Sequence, residues 1–154
     1  MTTLDDAAAG RAVTLKKTFS RQTTVGIDIS VPPKAVWSLL TDAERFASWN
    51  STIVELTGRI APGEKIRLRS TLAPEREFKL KIKAFEPNQH LSWGDAMGTR
   101  DYTLTPLAEG GTRFQMTERI GGPLFPLFAR MIPPFDDAFN QFAADLKAAA
   151  ETSR

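Results

Sequence analysis

The polar chemistry this sequence can offer sits at positions that alternation turns inward. Phe114 and Met116 alternate with polar neighbours, so if they face a core, Glu118 faces it too. Tyr102 and Leu104 carry Arg100 inward by the same rule, and Leu91 and Trp93 carry Asp95. The Glu109-Gly110-Gly111 turn then sets Arg100 near Glu118 across two neighbouring strands. An inward carboxylate costs several kcal/mol unless it is paired or wet. Arg100, Tyr102 and Glu118 are therefore the candidate catalytic set. They can orient the polar end of a ligand, or act on it as acid and base. The alternative is a structural ion pair at the mouth of the sheet.

Other chemistries are excluded by composition. The chain has no cysteine, which removes disulfides, thiolate metal sites and cysteine nucleophiles. It has one histidine, His90, so no two-histidine metal site is available. His90 follows Pro87-Asn88-Gln89 and reads as a solvent-facing turn residue. No Gly-x-Ser-x-Gly, Gly-x-x-x-x-Gly-Lys or Gly-x-Gly-x-x-Gly motif occurs. No metal and no cofactor is expected. The net charge is +2, too weak to suggest nucleic acid. No apolar run approaches the length of a membrane span, and Met1–Gly10 lacks the apolar region of a secretory signal. The expected location is the cytoplasm, as a monomer or homodimer.

Aromatic residues are the conspicuous class, with ten Phe, three Trp and one Tyr. Phe46, Trp49, Phe78, Trp93, Tyr102, Met116, Phe125, Phe128, Met131, Phe135 and Phe139 can all face one sheet–helix gap. With Glu118 they form the candidate ligand-binding set, and at least half are expected to line one cavity. Phe125, Phe128, Met131 and Phe135 surround a proline break, where packing is irregular, and methionine adapts to varied ligand shapes. Trp37 and Phe142 are assigned to packing. A basic stripe, Lys65, Arg67, Arg69, Lys79, Lys81 and Lys83, lies on the outer face of a hairpin. A solvated strand face is its ordinary meaning, and contact with an acidic partner or anionic membrane the sharper one.

The elements that position these residues follow from period and punctuation. Residues 1–22 read as an N-terminal tail with a short extended stretch at Val13–Phe19, and 23–151 as a single domain. Val25, Ile27 and Ile29 alternate as a strand that Pro32-Pro33 ends. Helices follow over Lys34–Leu40 and Ala43–Ala47, the second capped by Thr41 or Asp42. A strand at Ile53–Thr57 precedes a hairpin in which Ile66, Leu68, Phe78, Leu80, Ile82 and Ala84 face inward. Leu124–Ile132 is helix-like until Pro133-Pro134 breaks it. Phe135, Phe139, Phe142, Leu146 and Ala149 form one stripe of a long C-terminal helix. The fold class is α+β, with about seven antiparallel strands covered by that helix.

The stretch Ile27-Asp28-Ile29, Val31-Pro32-Pro33-Lys34-Ala35-Val36-Trp37, Leu40-Thr41-Asp42 and Trp49-Asn50 resembles the opening of the SRPBCC superfamily. These are the START-like, birch-allergen-like and polyketide-cyclase-like domains. Phe85-Glu86-Pro87-Asn88 with Leu91-Ser92-Trp93 agrees, as does Tyr102-Thr103-Leu104-Thr105-Pro106 with Gly111-Thr112-Arg113. The resemblance covers roughly residues 23–150. It implies a helix-grip fold, a curved sheet wrapped around the C-terminal helix with a deep cavity between them. It does not fix function. Three expectations follow. The first is binding of a hydrophobic small molecule, a lipid, polyketide or aromatic metabolite. The second is a polyketide cyclase or dehydratase using Arg100, Tyr102 and Glu118. The third is a co-chaperone-like interaction domain using the basic hairpin face.

Overall fold

A computed structural model describes residues 9–152. The first eight residues of the predicted tail, and most of the stretch tested for a signal, lie outside the described residues. Eight antiparallel strands form one sheet in the order β1-β2-β8-β7-β6-β5-β4-β3. They are β1 Val13–Lys16, β2 Ser20–Ile29, β3 Ile53–Gly58, β4 Lys65–Ser70, β5 Phe78–Glu86, β6 His90–Gly94, β7 Gly98–Pro106 and β8 Thr112–Gly121. Helices α1 (Pro33–Leu40) and α2 (Ala43–Trp49) join β2 to β3. A short α3 (Phe125–Phe128) and a 3₁₀ turn (Ala129–Met131) lead into α4 (Asp136–Thr152). This is the predicted helix-grip class, with one strand more than counted. The added strand is β1, and β2 begins at Ser20, so residues of the stretch read as tail pair within the sheet.

Alternation holds where the inner face is apolar. Thr112, Phe114 and Met116 are buried in β8, and Tyr102 and Leu104 in β7. It breaks at two bulges, which bend the sheet. One falls between Ile53 and Glu55 and leaves Val54 outward; the other falls between Ile82 and Ala84. Past the second bulge Phe85, rather than the predicted Ala84, pairs with Leu91 and meets Trp37 edge-on at 5.2 Å. Asp95 is a correction too. β6 stops at Gly94, and Asp95 is exposed in the turn, its carboxylate accepting from Met97 N–H at 2.8 Å and Gly98 N–H at 3.0 Å. Only glycine fits at 94, where a Cβ would lie 2.2 Å from the Gly98 carbonyl oxygen.

The C-terminal helix lies across the concave face and buries Phe139, Phe142, Ala143, Leu146 and Ala150. Ala150 takes the last inward place given to Ala149. Asp136 and Asp137 occupy the first turn, where the helix dipole favours acids. The helix is tied along its length. Ala12 N–H donates to Asn140 at 2.6 Å, Thr14 to Asp136 at 2.5 Å, and Ser51 N–H to Asp145 at 2.7 Å. Buried Asn50 donates to the Phe142 carbonyl at 3.3 Å. At the far end Glu151 accepts from Ser30 N–H at 2.8 Å and pairs with Lys147 at 2.7 Å.

This last clamp makes a pH prediction. The hydrogen bond from Lys147, aided by the Ser30 N–H, holds the Glu151 carboxyl at about 2, against an ordinary 4.5. A carboxylate with a depressed folded-state pKa contributes stability above its unfolded value and loses it as pH falls through the folded one. The melting temperature should therefore drop between about pH 4.5 and 2. Glu151→Gln should remove part of that slope in thermal melts taken across the range.

Candidate functional site

Strand register builds the site. Arg100 stands opposite Glu118, and Tyr102 opposite Met116. Arg100 Nε–H donates to Glu118 Oε1 at 2.7 Å, and the side chains are only 13% and 19% exposed. The predicted pair therefore forms and faces inward. The guanidinium lies 5.0 Å from the centre of the Phe139 ring and 6.0 Å from that of Phe142. Burial works against the Arg100 charge, but Glu118 and the Tyr102 oxygen more than offset it, so the pKa is raised and the cation persists. Burial pushes the Tyr102 phenol up to about 12, partly opposed by Arg100. Tyr102 is thus a neutral donor at physiological pH.

The Tyr102 hydroxyl has no partner of good hydrogen-bond geometry, although it lies beside the Arg100 guanidinium. The Trp49 indole N–H is likewise buried without an acceptor. The two rings that carry them flank a third: the centre of the Phe142 ring lies 5.8 Å from that of Tyr102 and 6.0 Å from that of Trp49. A buried donor left unmade costs about 1–3 kcal/mol. Two of them in one aromatic cluster are the strongest pointer to something that would satisfy them.

The candidate aromatics divide in three. Phe46, Trp49, Trp93, Tyr102, Met116 and Phe139 gather in the core between the sheet and α4. Phe46 meets Trp49 at 4.7 Å, Trp93 meets Tyr102 at 4.9 Å, and Phe142, assigned to packing, is the hub that joins them. The rings rest on one another, so the expected cavity lined by at least half of the set is not open among them, and a ligand has to part them. Phe135 stacks on Phe139 at 5.9 Å at the Arg100 end of the site, while Phe125 is buried against Phe128 at 6.1 Å, outside the core cluster. Phe78 and Met131 stand apart. Phe78 is half-buried on the hairpin under Arg76, and Met131 is 81% exposed. The 3₁₀ turn rotates Met131 outward, which corrects its placement in the gap.

Sequence reasoning missed Arg21. It lies within the stretch read as tail, yet it is buried and points inward from β2. It donates to the Ile132 and Pro133 carbonyls at 3.2 and 2.8 Å, and its guanidinium covers the Phe135 ring at 4.5 Å. Burial lowers its pKa, opposed by Glu118 and Asp136. Among the described residues, Arg21 makes the only side-chain hydrogen bonds to residues 122–134 from the rest of the protein. It is the latch that holds the proline-rich cover. Arg21→Ala should speed amide hydrogen exchange in residues 122–134 by about tenfold or more while leaving α4 protected.

His90 faces outward as expected, but from a strand rather than a turn. It opens β6, and its ring is only 32% exposed. Nε2 lies 2.7 Å from Asp101 and Nδ1 3.1 Å from Glu86. It lines an outer cleft of about 830 Å³ with Pro32, Lys34, Asn88 and Thr103, and none of the interior set reaches that cleft. On the hairpin, Arg67 pairs with Glu77 and Arg69 with Glu55, while Lys83 donates to Thr99. Half the basic stripe is thereby neutralised or engaged within the chain, as in a solvated strand face. Among the described residues no group of side chains could hold a metal, and no helix is long and apolar enough to cross a membrane.

A curved antiparallel sheet gripping a C-terminal helix, with polar side chains aimed into an aromatic interior, defines a helix-grip domain. The chain belongs to the family described as "Polyketide cyclase / dehydrase and lipid transport", which it matches over residues 20–151. Solved structures agree on the fold. A conserved protein of unknown function from Enterococcus faecalis aligns with a TM-score of 0.69 at 16% identity, covering 96% of this chain and 81% of that one. A START superfamily protein from Mycobacterium smegmatis aligns at 0.63 and 16%, covering 86% and 99%. A putative protein from the dynemicin biosynthetic locus aligns at 0.64 and 21%, covering 86% and 48%. No curated protein matches the sequence significantly.

Proposed function

We propose that this chain binds a hydrophobic small molecule, a lipid, polyketide or aromatic metabolite, between the sheet and α4. Its oxygen-bearing end meets Arg100, Tyr102 and Glu118. The observation that carries this reading is the pair of buried donors without acceptors, Tyr102 hydroxyl and Trp49 N–H. Helix α4 is pinned at both ends, so the ligand enters by lifting the Phe125–Phe135 cover from its Arg21 latch. Apolar rings supply affinity, and the few polar groups fix orientation.

The test uses anilinonaphthalene sulfonate, an apolar ring system with one anionic end. Saturable binding with quenching of tryptophan emission is expected. Tyr102→Phe should weaken binding about tenfold, the loss of one hydrogen bond to a charged group. The same change should shift the melting temperature by only a few degrees, because losing the hydroxyl's support of Arg100 is offset by removing an unmade donor. Absence of saturable binding, or binding indifferent to Tyr102→Phe, would overturn the reading.

One observation favours a second reading. A neutral phenol and a persistent guanidinium stand side by side, with a carboxylate on the guanidinium. That set donates to a carbonyl oxygen and can accept a proton, as a cyclase or dehydratase requires. Turnover of a polyketide-like substrate, lost on Glu118→Gln, would favour it.

A further inference from the structure

Of the seven large apolar side chains that face water among the described residues, five come together; Leu15 on β1 and Val54 on β3 are the other two. Phe19, Met97, Leu124, Leu127 and Met131 are 57%, 44%, 63%, 79% and 81% exposed. They come from three segments that meet at one end of the sheet. Gly122 N–H donates to the Phe19 carbonyl at 3.0 Å, and Gly121 N–H donates to the Met97 carbonyl at 3.0 Å. The β1–β2 turn, the β6–β7 turn and the start of the α3 segment are thus hydrogen-bonded together, and each brings an apolar side chain to the surface. Single exposed apolar residues need no explanation, but a contiguous set does.

The charge around this end is basic. Lys16 and Lys17 are exposed just before Phe19, Arg119 at the end of β8, and Arg130 between Leu127 and Met131. None of the four makes an ion pair among the described residues. Two acids close by, Asp95 and Asp136, offset part of this charge while accepting hydrogen bonds within the chain, Asp95 from two backbone N–H groups and Asp136 from Thr14. Asp137, in the first turn of α4, is the remaining exposed acid of that neighbourhood.

We propose that this end of the molecule docks on an anionic lipid bilayer. Phe19, Leu124, Leu127 and Met131 enter the headgroup–acyl boundary, and Lys16, Lys17 and Arg130 meet the lipid phosphates. Unpaired cations bordering protruding apolar side chains are complementary to that surface. A second copy of this chain is the poorer occupant, because a two-fold contact through this patch would set the same unpaired cations against themselves. Docking goes beyond the interior binding reading and does not depend on it. The probe vesicles carry no interior ligand, and the fluorescent titration above reports the interior separately.

Flotation of the full chain with vesicles of phosphatidylglycerol and phosphatidylcholine in equal parts tests the proposal. Binding is expected at low salt, and much less to pure phosphatidylcholine. Each basic residue near the surface contributes about fivefold, so Lys16→Ala with Lys17→Ala should lose about 30-fold. Leu127→Asp with Met131→Asp should lose at least about tenfold. Both pairs are exposed, and their melting temperatures should match the parent's. Anilinonaphthalene sulfonate affinity should also be retained in the lysine pair, which lies outside the Phe125–Phe135 cover. No flotation, flotation unaffected by either pair, or a concentration-dependent dimer dissolved by Leu127→Asp with Met131→Asp would overturn it.

Discussion

Replacing Phe142 with alanine is expected to cost about 3–5 kcal/mol of stability, the largest effect of any single truncation in this fold. The ring is fully buried and touches Phe46, Trp49, Tyr102 and Phe114 at 5.8 to 6.2 Å between centroids. It also lies under the Arg100 guanidinium. The helix cannot sink to refill the gap, because Asn50 holds the Phe142 carbonyl and Asp145 and Glu151 fix the turns beyond it. Thermal melts should show a fall of about 10 °C or more. Because the cavity would open between the Tyr102 and Trp49 rings, the variant should also bind anilinonaphthalene sulfonate more tightly than the parent. A fall of only a few degrees would mean that the interior relaxes freely around α4.

Glu118→Gln is expected to cost about 2–4 kcal/mol. The neutral amide still fits, but it leaves the Arg100 cation without a counter-charge in a site almost closed to water. The full penalty for breaking a buried pair is about 3–5 kcal/mol, and the residual exposure of both side chains reduces it. Arg100→Met combined with Glu118→Leu should recover to within about 1 kcal/mol of the parent, since an apolar pair of similar volume removes the desolvation cost. That double variant separates two roles that one substitution confounds. If the pair only holds the sheet together, the repaired protein keeps its ligand affinity. If it receives the polar end of a ligand, the repaired protein is stable and no longer binds the anionic probe.

The parts of this account visible in the sequence are those written in apolar periodicity. Phe114 and Met116 in β8, and Tyr102 and Leu104 in β7, announce their inward face, and Arg100 and Glu118 follow by continuation. Continuation failed where the strand did not. Asp95 falls beyond the end of β6, where Gly94 and an Asx turn redirect the chain. Ala84 lost its inward place to Phe85 at a bulge, which leaves no mark on composition. Arg21, and Thr23 buried two residues on along β2, are hidden for a different reason. Their inward positions on β2 are polar, so the alternation that marks a half-buried strand begins only at Val25. The same polarity that makes Arg21 a latch removes the signal that would have found it. His90 needed Asp101 from a neighbouring strand, a pairing that one-dimensional spacing does not encode.

The central claim is that the interior between the sheet and α4 receives an apolar molecule whose polar end replaces the missing partners of Tyr102 and Trp49. Native mass spectrometry of the purified chain tests it most directly, run beside the Arg100→Met, Glu118→Leu double variant. The account predicts an added mass from a co-purified apolar, oxygen-bearing compound, released on denaturation and absent from the double variant. A chain that flies only at its bare mass, and that stays so after incubation with long-chain fatty acids and aromatic polyketides, would contradict it.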